Sequence, residues 1–268
     1  YAEDAWPMAV ISALIVIGGI GYQVIMEAFM WARARLMGKK ENTVFSLHFK
    51  IVTSTTVILL VLGTVAFLLI EFDNPATLAG KSLGVKTLLA GFQSVVMRTA
   101  GFNSIDIGGM ETSALFVAIA LMFVGASPGS TGGGIKTTTV RILLMSTKAA
   151  LRGKEEVNSY QRQIPVARIL KALAVVVASA ISVVIITTCI SLSDPDLTFI
   201  SILFESVSAF ATVGLSTGIT ADLSTWGQLF IIATMYIGRV GILLLMSAIL
   251  GDPSPSVIRY PEEDLLTG

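Results

Sequence analysis

The chain has 268 residues, of which 54 % are hydrophobic and 13 % charged, with 18 basic residues balancing 18 acidic ones. Soluble domains carry about 25 % charged residues, so this composition excludes an ordinary water-soluble fold and points to a bilayer as the solvent. One cysteine, Cys189, excludes an intrachain disulfide or a cysteine metal cluster, and one histidine, His48, leaves almost no material for histidine metal sites or Ser-His catalysis.

Taken in chain order, charge-free windows mark the membrane segments: Ala5 to Met26, Ile51 to Ile70, Thr112 to Ile135 and Ala172 to Ser193. A fifth, Leu223 to Gly251, holds one charge, Arg239. Each meets the roughly 20 apolar residues a helix needs to cross the hydrocarbon. The first begins almost at Tyr1 with no signal-peptide pattern, and a further N-terminal part is expected. The connection 32–50 carries Arg33, Arg35, Lys39, Lys40 and Lys50, and 141–171 carries Arg141, Lys148, Arg152, Lys154, Arg162, Arg168 and Lys171. The opposite connections carry Glu71, Asp73, Asp106, Glu111, Asp194, Asp196 and Asp222, with Lys81 and Lys86 as exceptions. Basic loops stay in the cytoplasm, which orients five spans alternately without conflict. The expected fold is an all-α membrane protein.

Two short apolar segments, Thr87 to Met97 and Phe199 to Phe210, reach only about half the hydrocarbon thickness as helices. Each lies between spans whose near ends are both outside, so both read as re-entrant helices. They also head an internal repeat. Phe92-Gln-Ser-Val95 leads to Thr99-Ala-Gly-Phe-Asn-Ser104, and Phe204-Glu-Ser-Val207 leads to Thr212-Val-Gly-Leu-Ser-Thr217, with a one-residue difference in spacing. A pore helix aims the negative end of its dipole at the membrane centre. Glycine lets the returning loop turn carbonyls toward an axis, where carbonyl rings replace the hydration shell of potassium. Candidate ion-binding residues are Thr99, Ala100, Gly101, Phe102, Asn103, Thr212, Val213, Gly214, Leu215 and Ser216. One such loop alone reads equally as a glycine turn; two copies after half-length helices favour a filter.

The third span is interrupted by Gly125-Ala-Ser-Pro-Gly-Ser-Thr-Gly-Gly-Gly-Ile-Lys-Thr137, which cannot continue a helix comfortably and should line a cavity. It is not a phosphate loop, because Ile135 separates Gly134 from Lys136 and no strand precedes it. Arg239, a lone charge at depth, must face water or a partner: either it stands in the pore as a barrier to cations, or it bonds helix-end carbonyls of the broken span. Arg98, just before the first loop, and Glu205, within the second short helix, either pair to brace the filter or, for Glu205, bond local backbone donors. Lys136 reads as a cytoplasmic-side anchor or a gating contact. His48 reads as interfacial rather than as a ligand, and Cys189 as a small apolar residue. No acid, base or metal cluster lies at depth for a membrane enzyme. A sodium-coupled secondary transporter is the alternative, although the loops lie on the outside and not at the midplane.

The stretches FQSVVMRTAGFNS, GASPGSTGGGIKTTTVR, FESVSAFATVGLSTG, YIGRVG and RYPEEDLLTG resemble the Trk/Ktr/HKT superfamily of potassium transporters, most closely its KtrB-type ion-conducting subunits. The resemblance implies a potassium pathway, in some members with sodium as activator or co-ion, and no cofactor on the chain. It implies four repeats around one pore, of which this chain holds the third and fourth as the C-terminal half. The divisions are then 1–43 (closing helix of a preceding repeat, with Gly18-Gly19-Ile20-Gly21, and a linker), 44–160, 161–251 and a cytoplasmic tail 252–268. Filter glycines fall on Gly101 and Gly214. Residues Gly129, Gly132, Gly133, Gly134 and Lys136, with Arg239, fall on an intramembrane gating loop. Expected partners are the lipid bilayer of a bacterial inner (plasma) membrane, a second copy in a homodimer and a cytoplasmic nucleotide-binding ring subunit, but no nucleic acid.

Overall fold

A computed structural model describes residues 4–38, 44–154 and 156–242. The proposed tail 252–268, most of the linker at 39–43 and the last part of the fifth window lie outside the described residues. Nine α-helices lie within them: α1 (Ala5–Ile20), α2 (Tyr22–Leu36), α3 (Leu47–Ile70), α4 (Leu83–Val96), α5 (Thr112–Phe123), α6 (Thr137–Ala150), α7 (Val166–Ser193), α8 (Phe199–Phe210) and α9 (Thr225–Val240). The described sheet is a two-stranded hairpin, β1 (Asn158–Ser159) against β2 (Arg162–Gln163), turning through the left-handed Tyr160 and Gln161.

Helices α3 and α7 are long and apolar enough to cross a membrane, and α1 with α2 adds a third if the bent pair is one span. Val57, Val61, Leu62 and Val65 of α3 and Ile181, Val184 and Ile185 of α7 are exposed, whereas Gln93, Ser94, Arg98, Glu205, Ser206 and Ser208 are buried. This inversion suits a protein whose outer face meets lipid and whose interior carries the polar groups. The short helices α4 and α8 form its centre: Phe92, Val96, Phe204, Val207 and Phe210 share one core with Phe67, Leu115 and Met122. Gly238 of α9 lies so close to the end of α8 that a β-carbon there would run into the Phe210 carbonyl.

Three expectations change. The window Ala5 to Met26 is not one straight span; it breaks at Gly21 (φ 96°), and α2 turns away by 105°. The third window is interrupted as expected, its two helices α5 and α6 being separated by residues 124–136. The first re-entrant helix starts at Leu83, not Thr87, because Lys86 does not end it. Its ammonium reaches back to the Phe72 carbonyl (2.5 Å) and lies 3.6 Å from the Phe72 ring centroid, so the charge leaves the apolar surface while its stem stays buried. In the fifth span α9 ends at Val240, before Gly241 (φ 88°). The second re-entrant helix spans Phe199–Phe210 as expected.

Two carboxylates join the helices of each repeat. Glu71, fully buried at the end of α3, accepts from Asn74 Nδ2 (2.6 Å), Thr77 Oγ1 (2.5 Å) and the backbone N–H of Glu111 at the start of α5 (2.9 Å). Asp194, at the end of α7, accepts from Ser193 Oγ (2.6 Å) and from the N–H (2.6 Å) and hydroxyl (3.0 Å) of Ser224 at the start of α9. In both repeats the outer helix therefore captures the cap of the inner one with an acidic side chain. Desolvation opposes ionisation of Asp194, but the bonds from Ser193 and Ser224 outweigh it and hold its carboxyl below the usual aspartate range.

Two outcomes are expected. Glu71→Ala leaves the buried Asn74 and Thr77 donors and the Glu111 N–H without this acceptor and should cost roughly 1–3 kcal/mol, read as a lower thermal midpoint in detergent. The Asp194 contribution is present above the ordinary aspartate pKa of about 3.9 and is lost as pH falls through its lowered folded value. Asp194→Asn should remove that part of the acid-side stability loss in paired thermal melts across pH 2–6.

Candidate ion pathway and gate

The two Thr-x-Gly loops begin where the short helices end. After α8 one residue, Ala211, precedes Thr212; after α4 two residues, Met97 and Arg98, precede Thr99. Thr99 stands seven residues beyond Phe92 and Thr212 eight beyond Phe204, so the extra residue belongs to the second copy, whose short helix runs on to Phe210. Thr99 (φ 71°) and Thr212 (φ 55°) are both left-handed, as are Gly101 (φ 69°) and Gly214 (φ 88°). A β-branched residue in that region costs about 1–3 kcal/mol and persists only where its surroundings impose it. Here the same strain recurs at equivalent positions of the two copies.

The loops meet. A β-carbon on Gly101 would lie 2.7 Å from the Val213 carbonyl oxygen and 3.3 Å from the Gly214 Cα, so only glycine permits this approach. The second loop is held from behind: Val213 N–H donates to the Ser208 carbonyl (2.9 Å), and Ser208 Oγ donates to the Leu215 carbonyl (2.6 Å). That bond turns the Leu215 oxygen toward α8, which sets it apart from the axis-facing oxygens expected there. Glu205 accepts from Ser216 Oγ and from the Thr217 N–H (3.2 Å). No ion pair joins Glu205 to Arg98: the acid serves the second loop, while Arg98 Nη2 points to the Gly125 carbonyl at 3.5 Å. At the motif position of Glu205 the first repeat has Gln93, whose amide is buried without a partner. Phe102 and Asn103 are exposed.

Beneath the loops lies the interruption of the third span. Its neck is closed by a parallel bridge between Val124 and Ile135, with Thr137 N–H donating to the Ala126 carbonyl (3.3 Å) and Ser127 Oγ 2.9 Å from Thr137 Oγ1. Gly133 N–H donates to Thr212 Oγ1 (3.1 Å). A β-carbon on Gly132 would strike the Thr99 side chain, one on Gly133 would meet Thr212 Oγ1 at 2.5 Å, and one on Gly134 would meet the Ala211 Cβ at 3.2 Å. Three successive glycines therefore seat the loop directly against the start of both Thr-x-Gly loops. Gly129 (φ 69°) is exposed and touches nothing that a side chain would meet. Arg239 Nη1 donates to the Thr131 carbonyl (2.6 Å) and Lys136 Nζ to the Gly132 carbonyl (2.7 Å). The two cations repel one another across the loop. A cavity of about 680 Å³ runs past Thr99, Thr131, Thr212, Gly214, Ser216 and Arg239.

The other edge of the loop rests on the elbow between α1 and α2. Ser127 N–H donates to the Gly19 carbonyl (3.0 Å), Thr131 N–H to the Gly18 carbonyl (3.3 Å), and Tyr22 N–H to the Gly129 carbonyl (3.1 Å). A β-carbon on Gly21 would lie 2.5 Å from the Pro128 oxygen. Gly18, Gly19, Gly21 and Ser208 are thus site residues that reading the sequence for charge and loop motifs missed. The Gly18-Gly19-Ile20-Gly21 cluster was their one visible signal.

The family model for TrkH, a cation transport protein, matches residues 1–260. The chain is 39 % identical over 270 residues to the Ktr system potassium uptake protein B of Vibrio alginolyticus, covering 100 % of this chain and 57 % of that one. It is 37 % identical over 270 residues to the potassium/sodium uptake protein NtpJ of Enterococcus hirae, covering 99 % and 58 %. The chain therefore spans little more than half the length of these relatives. The crystal structure of the potassium transporter TrkH from Vibrio parahaemolyticus superposes with a TM-score of 0.73 over 94 % of this chain and 53 % of that one, at 17 % identity, a likeness of fold.

The bond from Gly133 to Thr212 generates a direct expectation. In a Cys189→Ser background, Thr131→Cys should react with a water-soluble maleimide severalfold faster once Thr212→Val removes the acceptor. Equal rates with and without Thr212→Val would mean that this bond does not hold the loop.

Proposed function

The chain belongs to the TrkH family of cation transport proteins, and on that premise we propose that it forms part of a potassium-uptake pathway, with a carbonyl-lined filter above an intramembrane gate. The observation that carries this reading is the contact of the Gly101 and Gly214 loops, each set at the C-terminal end of a half-length helix. Two relatives named as potassium and potassium/sodium uptake proteins supply the ion. In this reading oxygens of Thr99, Ala100, Gly101, Thr212, Val213 and Gly214 replace water around potassium, and the negative ends of α4 and α8 favour the cation. Ser208 and Glu205 hold the second loop in register. Phe102, Asn103, Leu215 and Ser216 shape the loops from the side.

Gating, in this reading, is a displacement of residues 124–136. The seated loop puts Gly132 and Gly133 against the filter entrance and carries the charges of Lys136 and Arg239 beside it. A cation leaving the filter meets both a steric plug and positive charge. Opening requires the Arg239–Thr131 and Gly133–Thr212 bonds to part. We read the protein as a multi-pass component of a bacterial inner membrane, working as a homodimer with a cytoplasmic nucleotide-binding ring subunit. Sodium is an activating or accompanying ion in this scheme.

Rubidium uptake into vesicles carrying the complete protein tests the scheme. Arg239→Ala should raise uptake severalfold at unchanged protein amount; unaltered flux would remove Arg239 from the gate. Gly214→Ser, which places a side chain on the left-handed filter residue, should lower the potassium-to-sodium flux ratio by tenfold or more. An unchanged ratio would refute the filter assignment.

A further inference from the structure

The charges that orient the chain are not spread evenly over its basic side. α6 continues the broken span away from the gate and ends in a turn before the β1–β2 hairpin. Arg141, Met145 and Lys148 succeed one another on α6 at helical spacing of four and three residues, which places them on one face, and Arg152 follows in the turn just after the helix. With Lys154, and with Glu156 and Asn158 from the approach to the hairpin, they line a cavity of about 360 Å³. Four cations and one carboxylate among the described residues thus surround one concave space. Among the described residues, none of the four cationic side chains donates to an acceptor, and the buried Nε of Arg141 has no partner. Glu156 is engaged by Asn158 Nδ2 at 3.4 Å.

The positive-inside tendency explains why this connection is basic. It does not require the cations to converge on one cavity. The walls are also mixed in character. Leu144 lines the cavity and is exposed, and Leu151, one heptad on, is among the most exposed apolar residues of the chain. The helix and the turn after it therefore present clustered cations beside two exposed leucines. That is the profile of a site at the boundary between headgroups and acyl chains, where basic pockets beside membrane helices take anionic headgroups.

We propose that this cavity binds the phosphodiester headgroup of an anionic lipid of the cytoplasmic leaflet. The guanidinium groups of Arg141 and Arg152 offer paired donors to phosphate oxygens. Lys148 and Lys154 supply point charges, and Leu144 meets the first part of the acyl chains. α6 is the direct continuation of the gate, beginning one residue after Lys136, so an occupied cavity anchors the lower end of the interrupted span to the leaflet. The site stands on its own geometry and does not depend on which ion the filter passes.

The test is lipid binding by the complete protein, purified in detergent and followed by native mass spectrometry with added phosphatidylglycerol or phosphatidylcholine. The wild type should retain phosphatidylglycerol selectively. Lys148→Gln with Arg152→Gln should weaken that retention roughly 30-fold, at about fivefold for each cation near an anionic surface, without changing phosphatidylcholine retention. Arg33→Gln with Arg35→Gln, an equal charge change on α2, should leave it intact. Should the double variant fail to fold, the exposed Lys154→Gln alone should give the fivefold loss. Equal loss from the α2 variant, or no loss from the cavity variants, would overturn the site. Saturable binding of inorganic phosphate without lipid selectivity would reassign it to a soluble anion, and loss of a soluble protein partner with lipid retention unchanged would reassign it to that partner; either result overturns the proposal.

Discussion

A stretch of backbone that leaves the helix within a membrane must find its hydrogen bonds inside the protein, because lipid offers none. Residues 124–136 are that stretch, and much of the architecture supplies their partners. The elbow of α1 and α2 receives Ser127 and Thr131 and donates through Tyr22; the second filter loop receives Gly133 through Thr212; α9 contributes Arg239; and Lys136 satisfies Gly132 from within the loop. Glycine at 125, 132, 133 and 134 is the condition for these contacts, since a single methyl group at any of them would meet an atom already in place. The two Thr-x-Gly loops, the interruption and the elbow are therefore one packed unit.

The two repeats solve the same problem with different chemistry. Glu71 and Asp194 perform the same task at different chain spacings, each holding the cap of the inner helix. Behind the filter the copies diverge. The second loop is braced by Ser208 and Glu205, whereas Gln93 of the first is buried with its amide unpaired. Arg98 points instead toward Gly125, at the neck of the interrupted span. The first loop is thereby tied to the gate, and the second to its own pore helix.

What the sequence made legible was local. Hydrophobic windows and the paired Thr-x-Gly motifs located the repeat, the short helix Phe199–Phe210 and the interruption, because these follow from composition over a few consecutive residues. The elbow at Gly21 was hidden because an apolar run containing glycines looks like any membrane helix. Its cause, the Pro128 carbonyl, lies more than a hundred residues along the chain. The alternative in which Arg98 pairs with Glu205 is not realised for the same reason: opposite charges in neighbouring motifs suggest a bond, but Arg98 turns to the Gly125 carbonyl and Glu205 accepts from Ser216 Oγ and the Thr217 N–H, groups with no signature in sequence. Lys86 misled by its charge alone, since a long stem lets its ammonium reach the Phe72 carbonyl while the helix continues past it.

The bridge between Val124 and Ile135 has a mechanical consequence. Because the two ends of the interruption are fastened to each other, the segment cannot unravel residue by residue when it leaves its seat. It has to swing as a preformed flap about its own base, exchanging one set of contacts for another. In the proposed gate, passage would then be switched between discrete levels of openness and not throttled continuously.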